Sequence, residues 1–209
     1  MRILSIDPGN RYSGVVIYDS DKNEVPYKNT FDDDNEGLIN LVRSCAPPFP
    51  QHDVSVVVVE GVKSYGMAVG DDVFSTCIWI GELRRVCKDS GLPFRLVYRK
   101  NYVTHVTGSP RGKDSNVRAA LIERWGYADV AIGGKRCKNC NGNGVVGRSK
   151  CRICGKNKNK ECCGEMPVKD TCPACNGTTW EYPPGPLYGI SSHAWPALAM
   201  AVYASEVPE

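Results

Sequence analysis

Three groups of side chains in this 209-residue chain have the types and spacing to do chemistry. Asp7 closes the apolar run Ile3, Leu4, Ile6, and Glu60 closes the valine run Val54 to Val59. A carboxylate stranded beside a core is costly without a partner. Held rigidly at a strand exit but still wetted, such an acid suits a hard divalent cation. For Asp7 an Asx-type turn with Pro8 and Gly9 is an equally open reading. The third group is thiols: eight of the eleven cysteines lie between Cys137 and Cys175. Cys137-x-x-Cys140 and Cys172-x-x-Cys175, each followed by Asn-Gly, have the gap that lets two thiolates chelate one ion. With no export pattern in the chain, clustered CxxC pairs read as zinc ligands rather than disulfides. Cys45, Cys77 and Cys87 stand apart and read as small core residues.

These groups need elements to position them. Arg2 to Asp7 reads as a strand broken by Pro8 and Gly9, and Gly14 to Tyr18 as its hairpin partner, with Asp7 at the mouth. Val25 to Thr30 is a third strand. The acidic run Asp32 to Glu36 reads as the solvated start of a helix that continues to Ser44. Val54 to Val59 has the nearly unbroken apolar pattern of a central strand buried on both faces. Lys63 to Gly70 is a Gly-rich loop. Phe74, Ile78, Leu83 and Val86 mark a helix over Asp71 to Asp89, stopped by Gly91 and Pro93, with Phe94 to Tyr98 returning as a strand. Arg99, Lys100, Arg111 and Lys113 then flank Tyr102 and a Thr-Gly-Ser-Pro-Arg-Gly-Lys-Asp turn, which reads equally as a phosphate-contact surface or a solvated loop. Asp114 or Ser115 caps a further helix to Gly126. A last apolar helix lies within Ile190 to Glu206, beginning near His193.

Strands alternating with helices predict an α/β or α+β sheet flanked by helices. The cysteines interrupt it, giving a core over residues 1–133, a zinc-binding insertion over 134–182 and a closing helical segment over 183–209. Net charge is +3. It is unevenly placed, with ten Lys/Arg against three acids from Lys135 to Trp180 and a net −4 elsewhere. Such a basic segment meets nucleic acid or is a solvated surface. Four thiolates on one zinc carry −2, so two filled sites would cut the local +7 to about +3. No apolar run reaches membrane-span length and no signal-peptide pattern opens the chain, so the expectation is an intracellular, cytoplasmic protein.

The two cysteine knuckles resemble the CxxCxGxG repeats of the DnaJ cysteine-rich domain. That resemblance implies one site from Cys137, Cys140, Cys172 and Cys175. It implies a second from Cys151, Cys154, Cys162 and Cys163, although the adjacent Cys162-Cys163 departs from the repeat. The rest of the chain resembles the RuvC family of Holliday junction resolvases, particularly its bacteriophage forms. Ile6-Asp7-Pro8-Gly9, the valine strand ending at Glu60, and Thr107-Gly108 through Lys113 to Val117 carry the likeness. It implies an RNase H-like fold and a homodimer that binds branched DNA. It also implies a metal-dependent endonuclease in which two magnesium or manganese ions support phosphodiester hydrolysis. Asp7, Glu60 and His193 would be catalytic metal ligands, with Lys63, Tyr65, Arg99, Lys100, Arg111 and Lys113 contacting DNA. The family's closing helix reads D-x-x-D-A-L-A, or has His first, whereas this chain reads His193-Ala-Trp-Pro196-Ala-Leu-Ala. An expected acid is therefore replaced by Pro196. Three readings follow: Asp114 substitutes, waters complete the shell, or the chain is a weakened or non-catalytic binder of branched DNA.

Overall fold

The computed structural model describes residues 1–32, 35–47, 52–64, 66, 68–141, 143, 145–146 and 170–208. In chain order the elements are β1 (Arg2–Asp7), β2 (Tyr12–Asp19), β3 (Glu24–Asp32), α1 (Asn35–Ser44), β4 (Val56–Gly61), α2 (Asp71–Asp89), β5 (Phe94–Tyr98), α3 (Arg99–Thr107), α4 (Asp114–Arg124), α5 (Ala128–Ala131), β6 (Lys135–Arg136), β7 (Val145–Val146), β8 (Asp170–Thr171), β9 (Trp180–Tyr182) and α6 (Ala194–Glu206). They form two compact units. One is Met1–Trp125 with Gly189–Glu209, and the other is Gly126–Tyr188.

The larger unit is a five-stranded mixed sheet in the order β3-β2-β1-β4-β5. β1 pairs antiparallel with β2 and parallel with β4, and β4 runs parallel to β5. Side chains alternate across a strand, and both faces of this sheet are covered. Leu4, Ile6, Val15, Ile17, Val57 and Val59 pack with α1 and α2 residues Leu38, Val42, Trp79 and Leu83. The opposite face, carrying Ile3, Val16 and Val58, lies under α6. Ala194 and Trp195 and the stretch Ala197 to Val202 of that helix are buried, and α3 and α4 pack against it.

The register places the candidate acids. Ser5 pairs with Val58, Ile6 with Val59 and Asp7 with Gly14. Asp7, Glu60 and Gly14 therefore share the α6 face at one end of the sheet. Gly14 is required there, because a Cβ would lie 1.7 Å from the His193 carbonyl oxygen.

Several expectations are corrected. Arg99 to Thr107 is a helix rather than a loop, and Tyr102, expected beside a phosphate-contact surface, is fully buried. Cys45 and Cys87 are buried, but Cys77 is exposed. Phe74 and Ile78 are also exposed, since α2 turns Trp79, Ile80, Leu83 and Cys87 inward. Asp114 is the first residue of α4 and pairs with Arg99 instead of capping. Lys113 is the N-cap, its backbone N–H donating to Asn116 Oδ1 at 3.0 Å.

In the smaller unit, β6 pairs with β9 and β7 with β8. Its base is tied by Leu187 N–H to the Ala131 carbonyl and Gly185 N–H to the Ile132 carbonyl, both 2.8 Å. Gly134, at φ +73, lets the Tyr188 ring approach to where a Cβ would sit. Among the described residues no helix is long and apolar enough to cross a membrane.

Candidate active site and cysteine cluster

At the sheet end shared by β1 and β4, two part-buried carboxyls meet. Their side chains lie within hydrogen-bonding reach of each other. Burial raises the Asp7 carboxyl to about 6, against the lowering effects of the Glu60 hydrogen bond and of Arg99. Burial, and then the Asp7 charge, raises Glu60 to about 8. Two buried carboxylates side by side cannot both ionise without a compensating cation. A shared proton meets that need in the bare protein, and an oxygen-only pair of this kind equally suits magnesium or manganese. The donor set thus fits a hard divalent ion.

A chain of donors fixes the pair. Tyr102 Oη donates to Glu60 Oε2 at 3.1 Å, Arg99 Nη1 donates to Tyr102 Oη at 3.2 Å, and Arg99 Nη2 reaches Asp114 Oδ1 at 2.6 Å. Burial, then the Glu60 charge, pushes the Tyr102 hydroxyl well above its ordinary range, so it stays a donor. β5 runs directly into α3, and this places Arg99 and Tyr102 one helical turn apart on the same face.

A cleft of about 660 Å³ opens over Asp7 and is also lined by Arg99, Asp114, Arg118, His193 and Pro196. His193, exposed at the N-cap of α6, stacks on Tyr12 with centroids 5.7 Å apart. Arg118 lies 5.4 Å over the Trp195 ring. Pro196 sits in the first turn of α6, where a missing N–H costs nothing. Of the predicted catalytic residues, Asp7, Asp114 and His193 share the cleft, and Glu60 joins through its bond to Asp7. Among the described residues these side chains are not gathered around one point as ligands of a single ion, and the cysteines are.

Among the described residues predicted to contact DNA, only Arg99 lines the cleft. Lys63 lies over the Tyr98 ring at 5.7 Å, and Lys100, Arg111 and Lys113 are exposed on α3 and the turn after it. Tyr65 lies outside the described residues. Sequence reasoning missed Tyr102 as a buried donor, Arg99 as its partner and Gly14 as the seat of His193. The only available signal was a stretch from Arg99 to Val106 free of glycine and proline.

In the smaller unit, Cys137, Cys140, Cys172 and Cys175 bring their sulfurs within 4.8 Å of one another, and all four are buried. Cys137 to Cys172 is 3.8 Å and Cys140 to Cys175 is 3.7 Å. A tetrahedron with metal–sulfur bonds of about 2.3 Å has edges of about 3.8 Å. The two knuckles also repeat each other. Asn143 N–H donates to the Cys140 carbonyl and Thr178 N–H to the Cys175 carbonyl, both at 2.9 Å, with Asn141 and Asn176 left-handed at φ 49 and 46. Burial works to raise the Cys172 thiol, but Asn139 and the backbone N–H groups of Cys175 and Ala174 outweigh it and bring it down to about 6, while burial and the three neighbouring thiols push Cys175 up to about 11. Donors aimed at a sulfur favour the thiolate, which is the form that binds a metal. Cys151, Cys154, Cys162 and Cys163 lie outside the described residues.

No family model and no curated protein matches the sequence. Solved structures do. RuvC of Thermus thermophilus superposes with a TM-score of 0.54 at 11% identity, covering 98% of this chain and 93% of that one. The same protein in complex with a Holliday junction substrate gives 0.57 at 12% identity with the same coverage. At such identities the likeness is one of fold: this chain has the RNase H-like mixed sheet, flanked by helices, that is seen in RuvC.

Proposed function

We propose that this protein is a metal-dependent, structure-selective DNA endonuclease that hydrolyses phosphodiesters in branched DNA such as four-way junctions. The observation that carries the reading is the juxtaposed Asp7 and Glu60 carboxyls at the ends of two adjacent strands, opening into a cleft on a RuvC-like fold. Asp7, Glu60 and His193 would hold magnesium or manganese, with Asp114 completing the set from across the cleft. When bound, such ions supply Lewis-acid stabilisation and an activated water. The chain's own residues do the positioning. Tyr102 fixes the Glu60 carboxyl, Arg99 holds Tyr102 and Asp114 in register, and Arg118 adds positive charge at the cleft wall for a phosphate backbone. Lys63, Lys100, Arg111 and Lys113, with Tyr65, extend the contact along DNA, and the active form is a homodimer working in the cytoplasm. Zinc in the four-cysteine cluster is structural, since four thiolates leave no open position.

The test is purified protein with labelled four-way junctions in magnesium and in manganese. Asp7→Asn is expected to lower cutting by at least about a thousandfold while leaving junction binding intact. Equal cutting by the variant removes Asp7 from the mechanism. A second reading, a non-catalytic junction binder, is favoured by Pro196 lining the cleft in place of an acid. Metal-independent binding with no cutting in either ion would select it.

A further inference from the structure

The most distinctive surface outside the cleft is the small ribbon beside the cysteine cluster. Arg136 Cζ lies 4.3 Å over the Trp180 ring and Lys135 Nζ lies 5.0 Å from the Tyr182 centroid. Trp180 and Tyr182 are two apart on β9 and so share a face. On a regular ladder Lys135 and Arg136 would point to opposite faces. The register is irregular between them, and both cations reach the two rings. Lys135 also contacts Glu181 at 3.4 Å, an exposed pair that leaves the ammonium in water. The cations are exposed and the rings half-buried.

We propose that the β6–β9 ribbon is a stacking platform for single-stranded nucleic acid. Aromatic rings take bases on their faces whatever the sequence; here an incoming base would displace Lys135 and Arg136 from the rings, and the released cations would take the phosphates. Two residues of strand span about 6.8 Å, twice the 3.4 Å step of one nucleic-acid strand, so the rings fall in step with alternate bases. Charge favours a polyanion: from Lys135 to Trp180 ten Lys/Arg stand against three acids, a +7 that zinc on the four clustered thiolates would lower to about +5. The platform would give the proposed nuclease a hold on unpaired bases at a branch, yet it needs no catalysis, so it stands or falls separately.

The experiment uses the full-length chain carrying Asp7→Asn, with its zinc content measured, and an oligothymidine of about a dozen nucleotides. Fluorescence anisotropy reads affinity, and tryptophan emission reads stacking. Expected results are binding with quenched emission, loss of the quench in Trp180→Phe, and affinity about tenfold weaker for each ring in Trp180→Ala and Tyr182→Ala. Lys135→Gln with Arg136→Gln, which spares the rings, should flatten the log–log salt slope by about 1.4. If the alanine variants lose zinc, the salt slope and the phenylalanine variant decide. Unchanged affinity, quench and slope would overturn the proposal, as would competition by polyglutamate equal to that by the oligonucleotide.

Discussion

The two candidate metal sites are built in opposite ways. The cysteine cluster is two copies of one local turn, each carrying its own pair of ligands and its own backbone donors. The carboxyl pair has no local logic. Asp7 and Glu60 come from strands that meet only through parallel pairing, and their donors arrive from α3. A local site is specified by spacing and a distributed one by the whole fold, so damage should spread differently through each.

The largest break of that contrast is Cys172→Ser. It should abolish metal binding at the cluster, where structural zinc is worth about 10–16 kcal/mol apparent, and strip amide protection from residues 126–188 while the larger unit melts as before. Zinc analysis and hydrogen exchange would show it; a collapse of exchange protection throughout the sheet would mean that the two regions are not independent. Tyr102→Phe tests the distributed site. With its donor gone, Glu60 is left under-satisfied, and cutting or manganese affinity should fall about 10- to 100-fold while zinc content is unchanged.

A pH effect is confined to the carboxyl pair. Asp7 and Glu60 hold protons more tightly folded than unfolded, where ordinary values are 3.8 and 4.5. Their contribution to the stability of the metal-free protein is therefore complete below about pH 4 and is lost as pH rises through about 6 and then about 8. Thermal melts across that window should show a decline, and added magnesium or manganese should remove it by taking the proton's place. A flat profile would mean that the pair is not protonated. The smallest change is Pro196→Asp. An acid in the first turn of α6 suits the helix dipole by about 0.3–1 kcal/mol and adds a carboxylate to the cleft wall. Manganese titration should show tighter binding, and unchanged affinity would mean that position 196 is not where a ligand is missing.

Legibility in the sequence followed the same division. The Asp7 hairpin, the bounds of α2 and β5, and the CxxC knuckles were readable because each rests on signals within a few residues: Pro8-Gly9, Gly91-x-Pro93, the two-residue gap. The helix α3 was not, because Arg99 to Thr107 buries only Tyr102 and Val103 and shows no apolar stripe. Helical spacing alone also does not say which side of α2 faces the sheet: Phe74, Cys77 and Ile78 face out, and of these Cys77 reads in the sequence as a core residue. The reading of His193 as a site residue rests only on the family likeness. Its seating depends on Gly14, a contact between residues that the sequence holds far apart.

The place of α6 on the sheet has a consequence in time. Asp7 and Glu60 can pair once β1 and β4 have formed, early in synthesis, while the wall carrying His193 belongs to a helix that follows the cysteine-rich unit in the chain. Contacts between distant segments form late. The elements that bury the two acids, α3 and α6, follow them in the chain, so a growing chain would leave both carboxyls in water, and their raised proton affinity would appear only when the last helix docks.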